Sequence, residues 1–288
     1  MPGGGSHLLT KKELKDIRQL QLFCEKIDQT ELKLNWDLLE TRSDGEKNDF
    51  LYYEQNRLIG FLGLYGFGNK VEICGMVHPD HRRKGIFSVL LKEGLAQLSK
   101  RNVPTILLNI PASSETGKAF VLNQPFTYSF SEHQMVWEPT SLMKDPVTSV
   151  SLRQARKEEL PFVVKLDADC FDMELEEAAS MYKRAQDITS NFIIEHNRNP
   201  VGKLRWHKEG KESWMYGFAV MPEWQGKGIG RQALIQAVQK EAEKGQSVYL
   251  EVVPENNQAL TLYQSCGFKS FATQDYYLLI KEKVVSIF

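Results

Sequence analysis

The stretch from Gln225 to Gly230, QGKGIG, has residue types suited to binding a phosphate group. It follows an apolar segment, FAV at 218–220, that should end as a strand at Pro222, because proline cannot donate a hydrogen bond to a neighbouring strand. From Ile229 onward, apolar residues recur at helical spacing. Glycines at a helix start let the backbone approach a ligand closely, and the unpaired amides there attract an anion. Glycine-rich stretches also form ordinary turns, so this segment alone leaves both interpretations open.

A single carboxylate, Glu251, interrupts the otherwise apolar strand YLEVV. A glutamate at this place either faces solvent or is held for use as a proton acceptor. Burial would raise its pKa toward the range of a general base. The residues alone leave the two interpretations open.

Two signatures in this half of the chain match one family. The spacing Q-x-x-G-x-G after V-x-P resembles the acetyl-CoA pyrophosphate loop of GNAT-superfamily N-acetyltransferases. A second signature of that family, N-x-x-A-x-x-x-Y-x-x-x-G-F, is matched by Asn256, Ala259, Tyr263, Gly267 and Phe268. The resemblance implies an α/β (α+β) fold, in which helices flank a mixed, mostly antiparallel sheet with a splayed strand pair for acetyl-CoA.

The resemblance also implies which residues bind the acyl donor. The backbone of Phe218, Ala219 and Val220 would bind the pantetheine arm of acetyl-CoA. The loop amides would hold the pyrophosphate, and these belong to Gln225, Gly226, Lys227, Gly228, Ile229, Gly230 and Arg231. Asn256 would support the pantetheine region.

Two residues are candidates for proton transfer. Tyr263 matches the position where many family members place the general acid that protonates the coenzyme A thiolate; the alternative is a core tyrosine. Some members place a general base at the position of Glu251, and the alternatives are a solvent-facing glutamate or an ordered water as base.

The chain contains two copies of this unit. Val77, Pro79, Gly85 and Ile86 repeat about 143 residues later as Val220, Pro222, Gly228 and Ile229, a domain-sized offset. The first half begins with a helical pattern over Leu8 to about Arg42, and the second begins with a short strand that runs into a helix. A hairpin follows in each half. We therefore predict a degenerate GNAT-like domain over 1–138, a linker over 139–149 that contains two prolines, and an acetyltransferase domain over 150–288.

The first copy departs from the motif. Arg82 and Gly85 keep their places in it, but Phe87 stands where the second copy has Gly230, and its side chain should crowd the loop. No tyrosine corresponds to Tyr263; the counterpart is either Val121 or Asn123. Glu72 is a possible base in its strand. We predict a first half that is catalytically silent.

Composition narrows the function. A formal net charge of −1 gives no reason to expect nucleic acid or an anionic membrane as partner, and no apolar run approaches the length of a membrane span. Four scattered cysteines without a C-x-x-C pair indicate reduced thiols in the cytoplasm and no metal site.

We expect an acetyl-CoA-dependent N-acetyltransferase, acting as a monomer or homodimer on a primary amine of a small molecule or of a protein. The alternative is a non-catalytic acyl-CoA-binding or interaction protein with the same fold. An aminoacyl transferase that takes aminoacyl-tRNA is disfavoured by the near-neutral charge.

Overall fold

A computed structural model describes residues 8–42, 45–67, 69–139, 149–171, 173–185 and 188–282. Most of the predicted linker, residues 140–148, lies outside this part of the chain. The described helices are α1 (Lys11–Asp28), α2 (Trp36–Glu40), α3 (Ile86–Leu98), α4 (Glu115–Val121), α5 (Leu160–Cys170), α6 (Leu175–Ala185), α7 (Ile229–Glu243) and α8 (Asn257–Ser265). The described strands are β1 (Asp49–Glu54), β2 (Arg57–Phe67), β3 (Lys70–Val77), β4 (Thr105–Pro111), β5 (Phe126–Trp137), β6 (Val150–Gln154), β7 (Asn191–His196), β8 (Asn199–Glu209), β9 (Glu212–Val220), β10 (Ser247–Val252) and β11 (Phe268–Leu279).

The chain forms two compact units, and their boundaries differ from those of the two continuous halves predicted from the sequence. One unit comprises Met1–Ser131 with Ala272–Phe288, and the other comprises Glu132–Phe271. The end of β11 pairs antiparallel with β4 in the first unit, from Gln274↔Pro111 to Leu278↔Leu107. The end of β5 pairs antiparallel with β10 in the second unit, from Val252↔His133 to Tyr249↔Val136. Each half of the chain thus supplies the final strand segment of the other unit's sheet.

The first unit has the mixed sheet expected of the fold. β1, β2 and β3 are antiparallel neighbours, and β3 runs parallel to β4. Leu90, Leu91 and Leu95 of α3 belong to one core with apolar residues of these strands. A second core contains Ile17, Leu20 and Cys24 of α1 together with other residues of the strands. Strand residues alternate between the two cores because side chains of a strand alternate between its faces.

The first helix is shorter than the predicted helix over Leu8 to Arg42. Thr10 caps its start through a capping box with Glu13, and it ends at Asp28 because Gln29 takes a left-handed conformation with φ of 51°. A five-residue helix, α2, follows only at Trp36. The predicted single helix is therefore wrong between Gln29 and Asn35.

The second unit repeats this plan. β6 to β9 are antiparallel neighbours in sequence order, and β9 runs parallel to β10. Leu234, Ile235 and Val238 of α7 share a core with Val248 and Leu250 of β10. The prediction that each unit combines mixed, mostly antiparallel strand pairing with flanking helices is confirmed.

The parallel strand pair separates in both units. Pairing of β9 with β10 ends at Met215↔Leu250, although β9 continues to Val220. Pairing of β3 with β4 ends at Ile73↔Leu108, although β3 continues to Val77. Each unit therefore has the expected splayed strand pair.

Because the end of β11 pairs with β4, Tyr276 should contribute to the stability of the first unit and not to that of the second. This side chain on β11 is fully buried in the first unit and stacks on Phe130 with ring centroids 4.6 Å apart. We expect Tyr276→Ala to cost roughly 3–5 kcal/mol, as for other buried aromatic residues. Hydrogen exchange should then accelerate at the amides of β4, while β10 stays protected.

A suitable control is Tyr128→Ala, because Tyr128 is 53% exposed and its loss should change stability by less than about 0.5 kcal/mol. Equal acceleration in β4 and β10 for Tyr276→Ala would contradict the assignment of this strand end to the first unit.

Candidate functional site

The second glycine-rich loop has the backbone geometry of an anion-binding helix start. A short turn over Pro222–Trp224 leads to Gln225, and Gly226 and Gly228 take φ values of 72° and 75°. A side chain at either position would be strained, and a Cβ on Gly226 would meet nothing within 4 Å. Gly228 caps the 15-residue helix α7, whose first amides therefore have no partner within the helix. The loop thus fits a diphosphate group.

The splayed part of β9 lies directly before this loop. Here Gly217 and Phe218 lie opposite the single residue Leu204 of β8, a β-bulge in which Gly217 has a φ of 55°. Beyond Met215 this segment has no paired residue on β10 in the described register. The backbone groups of Phe218 and Ala219 therefore lie on the side of β9 where an extended ligand could take the place of the missing strand. The Val220 carbonyl already accepts a hydrogen bond from the Gln225 side chain at 2.8 Å.

Tyr263 lies on α8 in the core of the second unit. It is 8% exposed, and its ring lies 6.3 Å from that of Phe218 and 5.9 Å from that of Phe268. Burial raises the pKa of Tyr263 to about 12, so its hydroxyl stays protonated at neutral pH. Among the described residues this hydroxyl has no hydrogen-bond partner. A protonated and unpaired hydroxyl is what a general acid requires.

Glu251 lies on the other face of the sheet from Tyr263. Val248, Leu250 and Val252 share the core with Tyr263, and side chains alternate along the strand. The half-buried Glu251 instead accepts a hydrogen bond from Gln134 at 3.1 Å. The structure therefore does not place the two proton-transfer candidates on one face.

Other predicted binding residues already have protein contacts. Asn256 caps α8, because its side-chain oxygen accepts from the Ala259 amide at 3.0 Å. Arg231 donates to the Ser265 hydroxyl at 2.6 Å. Lys227 lies over the ring of Trp224, with its nitrogen 4.7 Å from the ring centroid.

A polar cluster that the sequence gave no sign of lies beside the bulge. Lys203 of β8, 2% exposed, contacts Asp167 at 2.6 Å, and its nitrogen is 3.0 Å from where a Cβ on Gly217 would lie. The Tyr182 hydroxyl donates to Asp167 at 2.5 Å and accepts from Lys203 at 3.1 Å. Burial lowers the pKa of Lys203, while Asp167 opposes that shift. Lys203 is one of several charged residues in the β8 sequence NPVGKLRWHKE, so nothing in the sequence marks it as the buried one.

The first glycine loop has nearly the same backbone conformation as the second. Arg83 and Gly85 take φ values of 61° and 79°, and Gly85 caps α3 as Gly228 caps α7. Arg82 donates to the Val77 carbonyl at 3.0 Å, as Gln225 does to Val220, and also pairs with Asp28.

Phe87 does not crowd the loop as predicted but packs beside Gly75 and Phe120. Its ring lies edge-on against Phe120 at 5.1 Å and 2.9 Å from where a Cβ on Gly75 would lie. In the second unit the aromatic ring comes instead from Phe218, at the position of Gly75, and the glycine is Gly230. Each unit thus holds one phenylalanine at this place, supplied from the helix in one unit and from the strand in the other.

A cavity of about 700 Å³ opens in the first unit at this loop. Its lining includes Met76 and Val77 of the splayed β3, residues 108–111 of β4, the loop around Gly85, and residues of α4. The cleft at the first loop is therefore open. The structure gives no steric support to the prediction that Phe87 impairs this loop. Glu72, the possible base, lies in the paired part of β3 and does not line this cavity.

The first unit has no counterpart of the Tyr263 hydroxyl. Asn256 and Ser114 cap the equivalent helices, and the residue seven positions later is Tyr263 in one and Val121 in the other. Val121 is 2% exposed and belongs to the core. Of the two predicted counterparts, helix capping therefore selects Val121 rather than Asn123.

Comparison with known proteins identifies the family. The model of the acetyltransferase (GNAT) family matches residues 12–117 and again 153–268, more than half of the chain. The chain belongs to this family. No curated protein sequence matches it.

Solved GNAT structures share the fold. A GCN5-related N-acetyltransferase from Sphaerobacter thermophilus superposes with a TM-score of 0.76 at 17% identity, covering 94% of each chain. A tandem GNAT protein from the clavulanic acid biosynthesis pathway superposes with a TM-score of 0.71 at 13% identity, covering 95% of this chain and 96% of the other. A GNAT-family acetyltransferase from Colwellia psychrerythraea superposes with a TM-score of 0.60 at 15% identity, covering 92% and 97%.

No group of three or more His, Cys, Asp or Glu residues in the described part of the chain is placed to hold a metal ion. Nor does any described helix combine the length and apolarity that crossing a bilayer requires.

The burial of Tyr263 predicts a pH effect on stability. In the unfolded chain this tyrosine titrates near its ordinary pKa of 10, whereas the folded pKa is about 12. Above pH 10 the unfolded chain has lost a proton that the folded chain keeps, so stability falls as pH rises through this window. At pH 10.5 the loss amounts to about 0.8 kcal/mol relative to pH 8.

Tyr263→Phe removes this titrating group. The free energy of unfolding, measured with denaturant at pH 8 and pH 10.5, should therefore fall by about 0.8 kcal/mol more in the wild type than in the variant. An equal fall in both proteins would mean that the hydroxyl is hydrated in the folded chain.

Proposed function

We propose that the second unit transfers an acetyl group from acetyl-CoA to a primary amine, by direct attack of the amine on the thioester. The observation that carries this proposal is the juxtaposition of three features in one unit. These are the splayed end of β9, the glycine-rich start of α7, and the buried, protonated Tyr263 on α8 whose ring neighbours Phe218.

The donor would be held by groups that fit its parts. The amides from Gln225 to Arg231 at the start of α7 suit the diphosphate, since Gly226 and Gly228 leave their backbone uncovered. The backbone of Phe218, Ala219 and Val220 suits the amide-bearing arm. Acetyl-CoA supplies the activated acyl group, and most of the rate enhancement comes from holding the two substrates at attack distance.

Proton transfer would be divided between the two faces of the sheet. Tyr263 holds the proton for the leaving thiolate, because its pKa of about 12 keeps the hydroxyl protonated at neutral pH. On the opposite face, Glu251 or a water chain takes the proton of the amine. Gln134 fixes the orientation of the Glu251 carboxylate through its 3.1 Å hydrogen bond.

The acceptor is proposed to be a small molecule in the cytoplasm, with a protein amine as the less favoured class. A monomer or homodimer of the chain carries the site, with no metal ion.

A non-catalytic acyl-CoA-binding protein is the alternative function. Two observations favour it: Tyr263 is only 8% exposed, and Glu251 is engaged by Gln134. Under this alternative the same loops bind the donor but no amine is acetylated.

Thiol release from acetyl-CoA with a panel of primary amines tests the choice between these functions. We expect wild-type turnover with at least one amine, and a fall in kcat on the order of 10²-fold in Tyr263→Phe, because the leaving thiolate loses its proton donor. The dissociation constant for acetyl-CoA should stay nearly unchanged.

The matched control is Tyr249→Phe, which removes a hydroxyl from the other face of β10, where the ring stacks on Trp214 at 4.9 Å. Its kcat should equal that of the wild type. Unchanged turnover in Tyr263→Phe would show that this tyrosine is not the acid. No turnover with any amine, together with intact donor binding, would favour the non-catalytic alternative.

The second unit has Phe218 and Gly230 where the first has Gly75 and Phe87, and this difference allows a test of whether the loop needs a small residue to bind the donor. Gly230→Phe alone should weaken acetyl-CoA binding at least tenfold. The new Cβ would already contact Leu262 and Val220 at 3.7 Å and Phe218 at 3.8 Å, so the added ring must extend beyond a filled contact shell. The double variant Phe218→Gly/Gly230→Phe copies the first unit and should recover most of the affinity.

Phe218→Gly alone separates the effect of the lost ring from that of the added one. Titration calorimetry measures all four proteins. Wild-type affinity in Gly230→Phe would show that donor binding does not need a small residue at this position.

A further inference from the structure

The strand β9 contains one residue more than its counterpart β3 in the first unit. In the register of the two hairpins, Ile73 and Met215 lie before the bulge and are 142 positions apart in the chain. Met76 and Ala219 lie after it and are 143 positions apart. The extra residue is Gly217, whose φ of 55° is a conformation that residues with a side chain rarely adopt. The bulge is therefore an insertion that distinguishes the second unit from the first.

The absence of a side chain on Gly217 leaves room for Lys203. Its Nζ lies 3.0 Å from where a Cβ on Gly217 would stand, so a side chain there would displace the ammonium. Lys203 is 2% exposed and pairs with Asp167 of α5 at 2.6 Å. It also donates to the Tyr182 hydroxyl of α6 at 3.1 Å. Two helices thus hold a buried cation against the inserted residue.

The first unit has the same contact between its helices without a charge. Three pairs of residues, each 146 positions apart, occupy equal places in the two units: Gln21 and Asp167, Cys24 and Cys170, Trp36 and Tyr182. The Trp36 indole donates to the Gln21 side chain at 2.8 Å. The Tyr182 hydroxyl donates to Asp167 at 2.5 Å in the same way. The two cysteines confirm the equivalence, because each contacts the carbonyl of the last residue of its splayed strand, at 3.6 and 3.7 Å.

A neutral hydrogen bond therefore suffices to join these helices. In the first unit Phe61 stands at the place of Lys203, and β2 and β3 pair in unbroken register from Gly60↔Val77 to Phe67↔Lys70. Replacing a buried ion pair by apolar residues of similar volume often leaves stability unchanged or raises it. The packing of the helices does not require Lys203, and the feature that it accompanies is the inserted Gly217.

The insertion lies at the start of the segment proposed to bind the donor arm. Pairing of β9 with β10 ends at Met215, and Phe218 and Ala219 follow the bulge. A bulge changes the direction of the strand that contains it. The ammonium holds that direction, because the bulge cannot relax into the space that Lys203 occupies.

We propose that Lys203 is a positioning residue for the acyl donor, a role that rests on the proposed function. Held by Asp167 and Tyr182, it fixes the bulge at Gly217 and thereby the backbone groups of Phe218 and Ala219 that bind the arm. Lys203 is buried behind the strand and acts through the backbone of β9.

Two variants of the full-length chain remove the cation in different ways. Lys203→Met/Asp167→Leu makes the pair apolar, and Tyr182 keeps the Asn191 side chain as an acceptor at 3.5 Å. Lys203→Phe/Asp167→Gln/Tyr182→Trp copies the residues of the first unit. We expect both to fold with a Tm close to that of the wild type, because no unpaired charge remains.

Hydrogen exchange restricts the measurement to the second unit. Acetyl-CoA should protect the amides of residues 216–220 in the wild type, and the half-saturating concentration gives the affinity of this site. In both variants we expect this concentration to rise at least tenfold. The probe 3′-phosphorylated ADP lacks the arm and should protect the amides of residues 225–231 at the same concentration in all proteins.

The matched control is Lys208→Met. Lys208 also lies on β8 and also pairs with a buried carboxylate, that of Glu241 at 2.7 Å, but it is far along the strand from the bulge. Both ligands should bind this variant as they bind the wild type.

Wild-type affinity for acetyl-CoA in a folded variant would overturn the inference, and so would an equal weakening of both ligands. Loss of folding in both variants would assign the ion pair to the fold alone and would overturn it as well. Failure of the proposed function looks different, since acetyl-CoA would then protect no amide of residues 216–220 even in the wild type, and both proposals would fall.

Discussion

The separation of two parallel strands is the constraint on which both units depend. A buried strand end must pair its backbone groups or lose several kcal/mol, yet β9 leaves β10 after Met215 and β3 leaves β4 after Ile73. In each unit a loop side chain donates a hydrogen bond to the carbonyl of the strand's last residue. Gln225 donates to Val220 in the second unit, and Arg82 donates to Val77 in the first. The loop residue before the glycines is therefore part of the strand's hydrogen bonding as well as of the proposed anion site.

The same place in the two units is filled by one aromatic ring from different elements. A strand residue, Phe218, fills it over Gly230, whereas a helix residue, Phe87, fills it over Gly75. Packed interiors tolerate exchanges that conserve volume better than those that add or remove it. A motif comparison that considers only the loop misreads Phe87 as an obstruction, because the compensating glycine lies twelve residues earlier on another element.

Local patterns predicted most of what is local. The loop conformation followed from glycines at Gly226 and Gly228, and the duplicated order of elements followed from the repeated V-x-P and glycine spacing. The helix end at Gln29 was missed because its left-handed conformation carries no glycine signal. The pairing of β11 with β4 was missed because the choice of partner strand depends on residues 163 to 171 positions apart in sequence, which no local pattern records. The acid assignment of Tyr263 stays a prediction.

The two units differ most in what lies against the splayed strand. In the second unit a buried ion pair, Lys203 with Asp167, is held by Tyr182 beside the bulge at Gly217. In the first unit the residue aligned with Lys203 is Phe61, which is fully buried in an apolar core, and β2 and β3 pair without a bulge. Breaking a buried pair by removing one partner costs about 3–5 kcal/mol, so the second unit depends on Lys203 and Asp167 being present together. Lys203 Nζ lies 3.0 Å from where a Cβ on Gly217 would stand, so the ion pair packs directly against the bulge that distinguishes β9 from β3.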